Sequence, residues 1–163
     1  MFLQLESCGI RDEDVDHIAS HIAVGVGVAD SLKSLGERKS SGMMVGVPAE
    51  LTLKHEVPSG VFYSEMDNMP EASSTALKDA VFEFATVGNS HLEHAKDSLM
   101  SEAGKKLLAE HKGAKDVFLG RVAAEQWLKK LEEADFDIMD PRVRGGGKDD
   151  FWVQIELLKK KFF

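Results

Sequence analysis

The sequence predicts an all-α protein, and three features of its 163 residues support that fold class. Apolar residues recur at intervals of three and four along several long segments, which is the spacing of one buried helical face. No segment alternates between apolar and polar residues for long enough to predict a strand, and residues 43–47 are the only β-like patch. Glycines and prolines separate the periodic segments into pieces of helix length.

The first helix is predicted to run from about Asp14 to Leu35. Its buried face consists of apolar residues at helical spacing, namely Val15, Ile18, Ala19, Ile22, Val26, Ala29 and Leu32. Acidic residues stand at its start, where the helix dipole favours negative charge: Asp12, Glu13, Asp14 and Asp16. Gly25 and Gly27 interrupt the segment, each at a cost of about 1 kcal/mol relative to alanine. That cost is consistent with close packing, with a ligand that approaches the backbone, or with a weak or kinked helix.

Further helices are predicted in order along the rest of the chain. A polar loop over residues 37–46 precedes a short helix, and the longest helix has Ser73 or Ser74 as its expected N-cap. The predicted segments are Ala49–His55, Ser73–Met100, Lys105–His111, Lys115–Ala134 and a final helix that Asp149 caps and that contains Phe151, Trp152, Ile155, Leu157 and Leu158.

Composition narrows the classes of function. The net charge of −8, from 20 basic and 28 acidic residues, makes the chain a poor general binder of nucleic acid or anionic lipid. The single cysteine, Cys8, excludes an intramolecular disulfide and any Cys-rich zinc or iron–sulfur site. No apolar run approaches the roughly 20 residues that span a bilayer, and the N-terminus resembles neither a secretory signal nor an Arg-rich transit peptide. We therefore expect one soluble domain in a reducing compartment.

An acidic pair is the first candidate for chemistry. Asp12 and Asp16 are one helical turn apart on one face, and two such carboxylates can share Mg²⁺ ions that hold a diphosphate. An acidic helix start needs no ligand, however, and we favour that interpretation.

Two pairs of histidines are the second candidate. His17 and His21 have i, i+4 spacing, which can clamp a metal, and His91 and His94 flank Glu93 at i, i+3. Neither pair has the H-E-x-x-H order, so we interpret these histidines as surface or half-buried side chains and predict no metal site. No nucleophile elbow, P-loop or dinucleotide fingerprint is present, and no catalytic residue is predicted.

The order of segments resembles the C-terminal half of the squalene/phytoene synthase family over nearly the whole chain. The residues that carry the resemblance are Asp16-His17-Ile18-Ala19-Ser20-His21-Ile22-Ala23, then Gly25-Val26-Gly27-Val28, Val47-Pro48 before a short helix, and Phe136-Asp137-Ile138-Met139-Asp140-Pro141-Arg142. Within that family the chain is most similar to a branch of mitochondrial complex I assembly factors. The resemblance implies that residues 1–163 form a single domain that is incomplete at its N-terminal side. This domain would correspond to the C-terminal half of an isoprenoid-synthase-type helical bundle.

The same resemblance implies that the catalytic metal site is degenerate. The family's enzymes hold Mg²⁺ and prenyl diphosphates with two aspartate-rich motifs. The two aspartates of the second motif correspond here to Ser34 and Arg38, neither of which can coordinate Mg²⁺. Gly25, Gly27 and His21 are then expected to line the wall of the former prenyl pocket.

The implied function is non-enzymatic. By resemblance the chain needs no cofactor and helps to assemble respiratory complex I on the matrix side of the mitochondrial inner membrane. Its partners would be complex I subunits or other assembly factors. The lysines and phenylalanines at 159–163 fit either peripheral contact with that membrane or a frayed terminus.

Two alternatives stay open. One is a Mg²⁺-dependent prenyl-diphosphate synthase or transferase that uses Asp12, Asp16 and Asp30. The other is a helical interaction module unrelated to respiration. For a half-bundle we also expect partly uncovered apolar faces, at Ile18 and Ile22 on the first helix and at Phe84 and Leu92 on the longest.

Overall fold

The computed structural model describes residues 1–7, 9–37, 46–62 and 69–144. Within these ranges the chain forms helices and no strand, which confirms the all-α prediction. In chain order the α-helices are α1 (Phe2–Ser7), α2 (Glu13–Glu37), α3 (Ala49–Lys54), α4 (Glu71–Met100), α5 (Glu102–Glu110), α6 (Ala114–Val117), α7 (Gly120–Glu133) and α8 (Pro141–Arg144), and a 3₁₀ helix (Ser59–Phe62) lies between α3 and α4. None of the helices in these ranges is long and apolar enough to cross a bilayer.

The chain divides into two compact units. The described residues of unit 1 lie within Met1–Gly27 and Gly88–Gln126. Unit 2 comprises Val28–Val87 and Trp127–Gly145. Helices α2, α4 and α7 each begin in one unit and end in the other.

The core of unit 1 combines the predicted apolar face of α2 with residues that the sequence spacing does not mark, such as Leu5 and Phe118. It contains Leu5, Ile10, Val15, Ile18, Ala19, Ile22, Ala95, Leu99, Leu107, Leu108, Ala114 and Phe118. The α2 members of this cluster follow the i, i+3, i+4, i+7 pattern, so burial of that stripe stabilises the helix more than intrinsic propensity does. Because Ile18, Ile22 and Leu92 are at most 5% exposed, the expectation that these faces are uncovered is wrong at those residues. Phe84 is half-buried.

The start of α2 is fixed by a side-chain cap. Oδ1 of Asp12 accepts hydrogen bonds from the amides of Asp14 and Val15, at 2.9 and 3.1 Å. These bonds satisfy amide groups that have no partner within the helix. Glu13, Asp14 and Asp16 occupy the first turn, which confirms the predicted acidic start.

Gly25 lets α2 and α4 approach each other closely in unit 1. A Cβ added at this buried residue would overlap Cγ and Cδ2 of Leu92 and lie 3.1 Å from the carbonyl oxygen of Gly88. Gly27 differs, because it is exposed and a Cβ there would meet no atom within 4 Å. Close packing therefore accounts for Gly25, and α2 continues unbroken through both glycines.

Two helix starts differ from the sequence prediction. Helix α4 begins at Glu71, since the amide of Ser74 bonds to the carbonyl of Pro70 at 3.0 Å. Ser73 and Ser74 therefore lie within the first turn, and the prediction that one of them caps the helix is wrong. Helix α5 begins three residues before its predicted start because Ser101 caps it, with the Ser101 hydroxyl accepting a bond of 3.0 Å from the amide of Gly104.

The helix predicted over Lys115–Ala134 is two helices, α6 and α7. Between them the backbone tightens to three-residue turns, in which the amide of Arg121 bonds to the carbonyl of Phe118 at 3.1 Å. The Phe118 side chain is 1% exposed, so the break coincides with the seating of a large aromatic ring in the core of unit 1.

Helix α1 was not predicted at all. Its six residues are too few to display a helical period, although Leu5 is buried in the core of unit 1. The helix ends at Ser7, and Gly9 beyond it has a φ of 73°. The amide of Ile10 then bonds to the carbonyl of Leu5 at 3.0 Å, a pattern common where a left-handed glycine follows a helix.

Unit 2 contains side-chain links between consecutive helices. Lys54 Nζ lies 2.7 Å from both carboxylate oxygens of Glu83, and His55 Nε2 lies 2.8 Å from Oε2. The hydrogen bonds from Lys54 and then His55 hold the pKa of the Glu83 carboxyl below its usual value. These contacts join α3 to α4.

The segment 135–144 folds into a compact turn that ends in α8. Asp135 and Phe136 both have left-handed backbone conformations, with φ of 53° and 55°, and the amide of Phe136 bonds to the carbonyl of Leu131. Oδ1 of Asp140 accepts from the amide and Nε of Arg142, at 2.8 and 3.0 Å, and Oδ2 accepts from Nη2 at 2.6 Å. The Arg142 side chain and amide lower the pKa of the Asp140 carboxyl to about 2.

This turn contacts the end of α2. A Cβ at Gly36 would lie 2.8 Å from the carbonyl oxygen of Ile138, and Nε of Arg144 donates to the Gly36 carbonyl at 3.1 Å. The predicted final helix after Asp149 and residues 43–45 of the β-like patch lie outside the described residues.

Replacing the two glycines of α2 by alanine should change the free energy of unfolding in opposite directions. Gly25→Ala should lower the free energy of unfolding by about 1–3 kcal/mol, because Leu92 and the α4 backbone must move. Gly27→Ala should raise it by about 0.5–1 kcal/mol, because alanine favours a helix and the site is open. Urea denaturation of both variants tests this, and an equal effect at the two positions would contradict the packing described for Gly25.

Asp140 should make stability depend on pH in acid. Because folding lowers its pKa, the carboxylate stabilises the folded state above the ordinary pKa of 3.8, and this contribution is lost as pH falls from about 4 to about 2. Asp140→Asn should therefore be less stable than the parent at neutral pH, with the difference closing towards pH 2. Arg142→Gln keeps the hydrogen bond from the backbone amide of residue 142 to Asp140. It should therefore raise the Asp140 pKa only part of the way back to its ordinary value of 3.8. A carboxyl NMR titration that finds Asp140 at its ordinary pKa in the parent would refute the argument.

Candidate functional site

Four of the six histidines of the chain gather on one surface of unit 1. His17 and His21 lie one turn apart on α2, and His91 and His94 lie one turn apart on α4. His17 and His94 are exposed, whereas His21 and His91 are half-buried. The prediction of surface or half-buried histidines is confirmed, but the meeting of the two pairs was not foreseen.

The imidazole rings of this histidine cluster are in direct contact. The His21 ring stacks on His94 with centroids 4.4 Å apart and lies edge-on to His17 at 4.8 Å. Nδ1 of His21 and Nδ1 of His91 are 2.9 Å apart, so one ring donates a hydrogen bond to the other. One ligand nitrogen from each of His17, His21 and His94 lies within 4.8 Å of the other two.

The surroundings of His21 favour its neutral form. Burial lowers the pKa of the His21 imidazole, and the neighbouring rings of His94, His91 and His17 lower it further. The cause is that a charged His21 would be partly desolvated beside other groups that can carry positive charge. A neutral imidazole is the form that offers a free nitrogen lone pair.

The residues expected to line a pocket fall in different environments. His21 belongs to the histidine cluster, Gly25 is buried against Leu92, and Gly27 is exposed. Ser34, at one position of the degenerate aspartate motif, is exposed on α2, and Arg38 at the other position lies outside the described residues. The roles assigned to these residues stay predictions.

The acidic residues at the start of α2 have partners within the protein. Asp12 caps the helix, and its Oδ2 lies 3.5 Å from Nε2 of His111. The hydrogen bond from the Val15 amide is the main cause that lowers the pKa of the Asp12 carboxyl. Glu6, Ile10, Arg11, Asp12, Glu13 and Asp16 line a shallow surface pocket. Arg11 bonds to Glu6 at 2.9 Å, which places a cation among these acids.

Unit 2 contains a pocket of about 330 Å³ beside the 135–144 turn. Its lining residues are Met69, Ser74, Leu77, Lys78, Phe136, Asp137, Ile138 and Met139. Lys78 Nζ lies 3.6 Å from Oδ2 of Asp137 and 3.7 Å from Oδ2 of Asp135. The pocket is thus lined by both apolar and polar side chains, and Lys78 among them already pairs with two carboxylates.

Comparison with known proteins identifies relatives of this chain. It is 30% identical over 144 residues to "NADH dehydrogenase (ubiquinone) complex I, assembly factor 6" of Bos taurus, a match that covers 88% of this chain and 39% of the relative. The protein of the same name from Homo sapiens is 29% identical over 147 residues, again with 88% and 39% coverage. The homologue from Dictyostelium discoideum is 28% identical and covers 100% of this chain and 41% of its own length.

The chain therefore spans about two fifths of the length of these curated relatives. No solved structure matches it significantly. The family model for squalene/phytoene synthase matches residues 1–146, in agreement with the resemblance found in the D-H-x-A-S-H-I stretch and in the segment from Phe136 to Arg142. On that match, the chain belongs to the squalene/phytoene synthase family.

Proposed function

We propose that this chain acts without catalysis in the assembly of mitochondrial respiratory complex I, on the matrix side of the inner membrane. The observation that carries the proposal is the alignment of 88% of the chain with proteins named complex I assembly factor 6. The partners would be complex I subunits or other assembly factors, engaged through the helical surface.

The chemistry of α2 supports a role that does not depend on catalysis. Enzymes of the family are expected to carry an aspartate where this chain has Ser34, and a hydroxyl is a poor ligand for Mg²⁺ in place of a carboxylate. Asp12 is already engaged by two backbone amides and by His111. A prenyl-diphosphate enzyme built on Asp12, Asp16 and Asp30 would have to take its first carboxylate from the cap of α2.

The assembly role is tested by loss of function. In cells that express this chain, its deletion should reduce fully assembled complex I on native gels and lower NADH-driven respiration, while the other respiratory complexes keep their levels. Re-expression of the chain should restore complex I. Normal complex I in the deleted cells would refute the proposal.

Two variants separate the assembly role from prenyl transfer. Asp16→Asn and Asp30→Asn both alter exposed carboxylates and leave the Asp12 cap in place. The doubly substituted chain should restore complex I as well as the parent does, because no Mg²⁺ site is required. The parent chain incubated with Mg²⁺ and farnesyl or geranylgeranyl diphosphate should form no product. Product formation that Asp16→Asn/Asp30→Asn abolishes would establish the enzyme instead.

A further inference from the structure

We propose that His17, His21 and His94 bind a divalent transition-metal ion of the Zn²⁺ type, with His91 as a positioning residue. The inference goes beyond the proposed function and does not depend on it. It rests on the convergence of four imidazoles from the parts of α2 and α4 that lie in unit 1, within the histidine cluster described above.

The geometry of the three ligands suits a small tetrahedral ion. Their candidate nitrogens lie within 4.8 Å of one another. A tetrahedral ion with Zn–N bonds of about 2.0 Å requires ligand nitrogens about 3.3 Å apart. Binding would therefore require the exposed His17 and His94 side chains to rotate about their χ angles, which staggered rotamers of an exposed side chain permit.

His91 supplies the outer contact that histidine ligands commonly have. Nδ1 of His21 is engaged by Nδ1 of His91 at 2.9 Å, which leaves Nε2 of His21 as its ligand atom. A hydrogen bond of this kind fixes the ring orientation of a metal ligand. His91 is itself half-buried on α4, one turn before His94, so the same helix carries a ligand and the group that orients another ligand.

The donor set selects the class of metal. Three imidazole nitrogens suit Zn²⁺, Cu²⁺, Ni²⁺ or Co²⁺, whereas Mg²⁺ and Ca²⁺ prefer oxygen ligands. Three protein ligands leave the fourth tetrahedral position to water or to a group from another molecule. The site would therefore differ in chemistry from the carboxylate–Mg²⁺ sites of the family's enzymes, and the ion would join α2 to α4.

Calorimetric titration of the full chain with ZnCl₂, and separately with MgCl₂, tests the site. We expect one Zn²⁺ per chain and no Mg²⁺ binding at the same site. His17→Gln and His94→Gln should each weaken Zn²⁺ binding at least tenfold, as expected when one of three direct ligands is removed. His91→Gln should weaken it about 10–100-fold, which is the usual effect of losing an outer-shell partner. Co²⁺ in place of Zn²⁺ should give the visible absorption of a tetrahedral ion, and His17→Gln/His94→Gln should abolish it.

Matched controls come from the other histidines and the only cysteine. His55→Gln and His111→Gln alter imidazoles that pair with Glu83 and Asp12 instead, and Cys8→Ser removes the thiol. All three should bind Zn²⁺ within twofold of the parent. Zn²⁺ should also raise the melting midpoint of the parent and of His55→Gln, but not that of His17→Gln/His94→Gln. No Zn²⁺ binding by the parent, or binding that His17→Gln/His94→Gln leaves unchanged, would overturn the proposal.

Discussion

The packing of unit 1 depends on the contact between α2 and α4 at Gly25. The missing side chain there lets Leu92 and the Gly88 carbonyl of α4 reach the α2 backbone. His17, His21 and Gly25 follow one another at intervals of four on α2, and Gly88, His91 and His94 at intervals of three on α4. The contact at Gly25 therefore lies about one turn from His21 on α2, and Gly88 lies about one turn from His91 on α4.

Two kinds of side chain that are able to bind metal ions, a carboxylate at the start of α2 and imidazoles on the helix itself, have different partners. The carboxylate of Asp12 serves the backbone of α2 and His111, because a helix start leaves amide groups without internal partners. His17 and His21 lie further along α2, where the backbone amides already have partners within the helix. Their ring nitrogens lie close to one another instead, and burial together with the neighbouring rings lowers the pKa of the His21 imidazole. Within the described part of the chain, α2 thus offers nitrogen rather than oxygen donors in close array.

In unit 2, the 135–144 segment contains two residues in an energetically unfavourable backbone conformation. Asp135 and Phe136 adopt left-handed backbone angles that non-glycine residues rarely take. The Phe136 ring meets Phe82 edge-on at 4.9 Å, and the exposed Asp135 carboxylate lies 3.7 Å from Nζ of Lys78. Beyond the turn, Asp140 and Arg142 fix the start of α8, and Arg144 returns to the end of α2 at Gly36. The conformation of this segment is therefore tied to contacts at both of its ends.

The sequence by itself determined the all-α class, the buried face of α2, its acidic start and the family. Each of these follows from local spacing or from segment order, and local spacing records which residues share a helical face. Only the tertiary structure decided which faces meet. It gave Gly25 and Gly27 different environments, divided the 115–134 segment where Phe118 enters the core, and brought His17 and His21 to His91 and His94. Contacts between residues about seventy positions apart depend on long-range packing. The spacing of residues within either helix carries no information about which other helix its face meets.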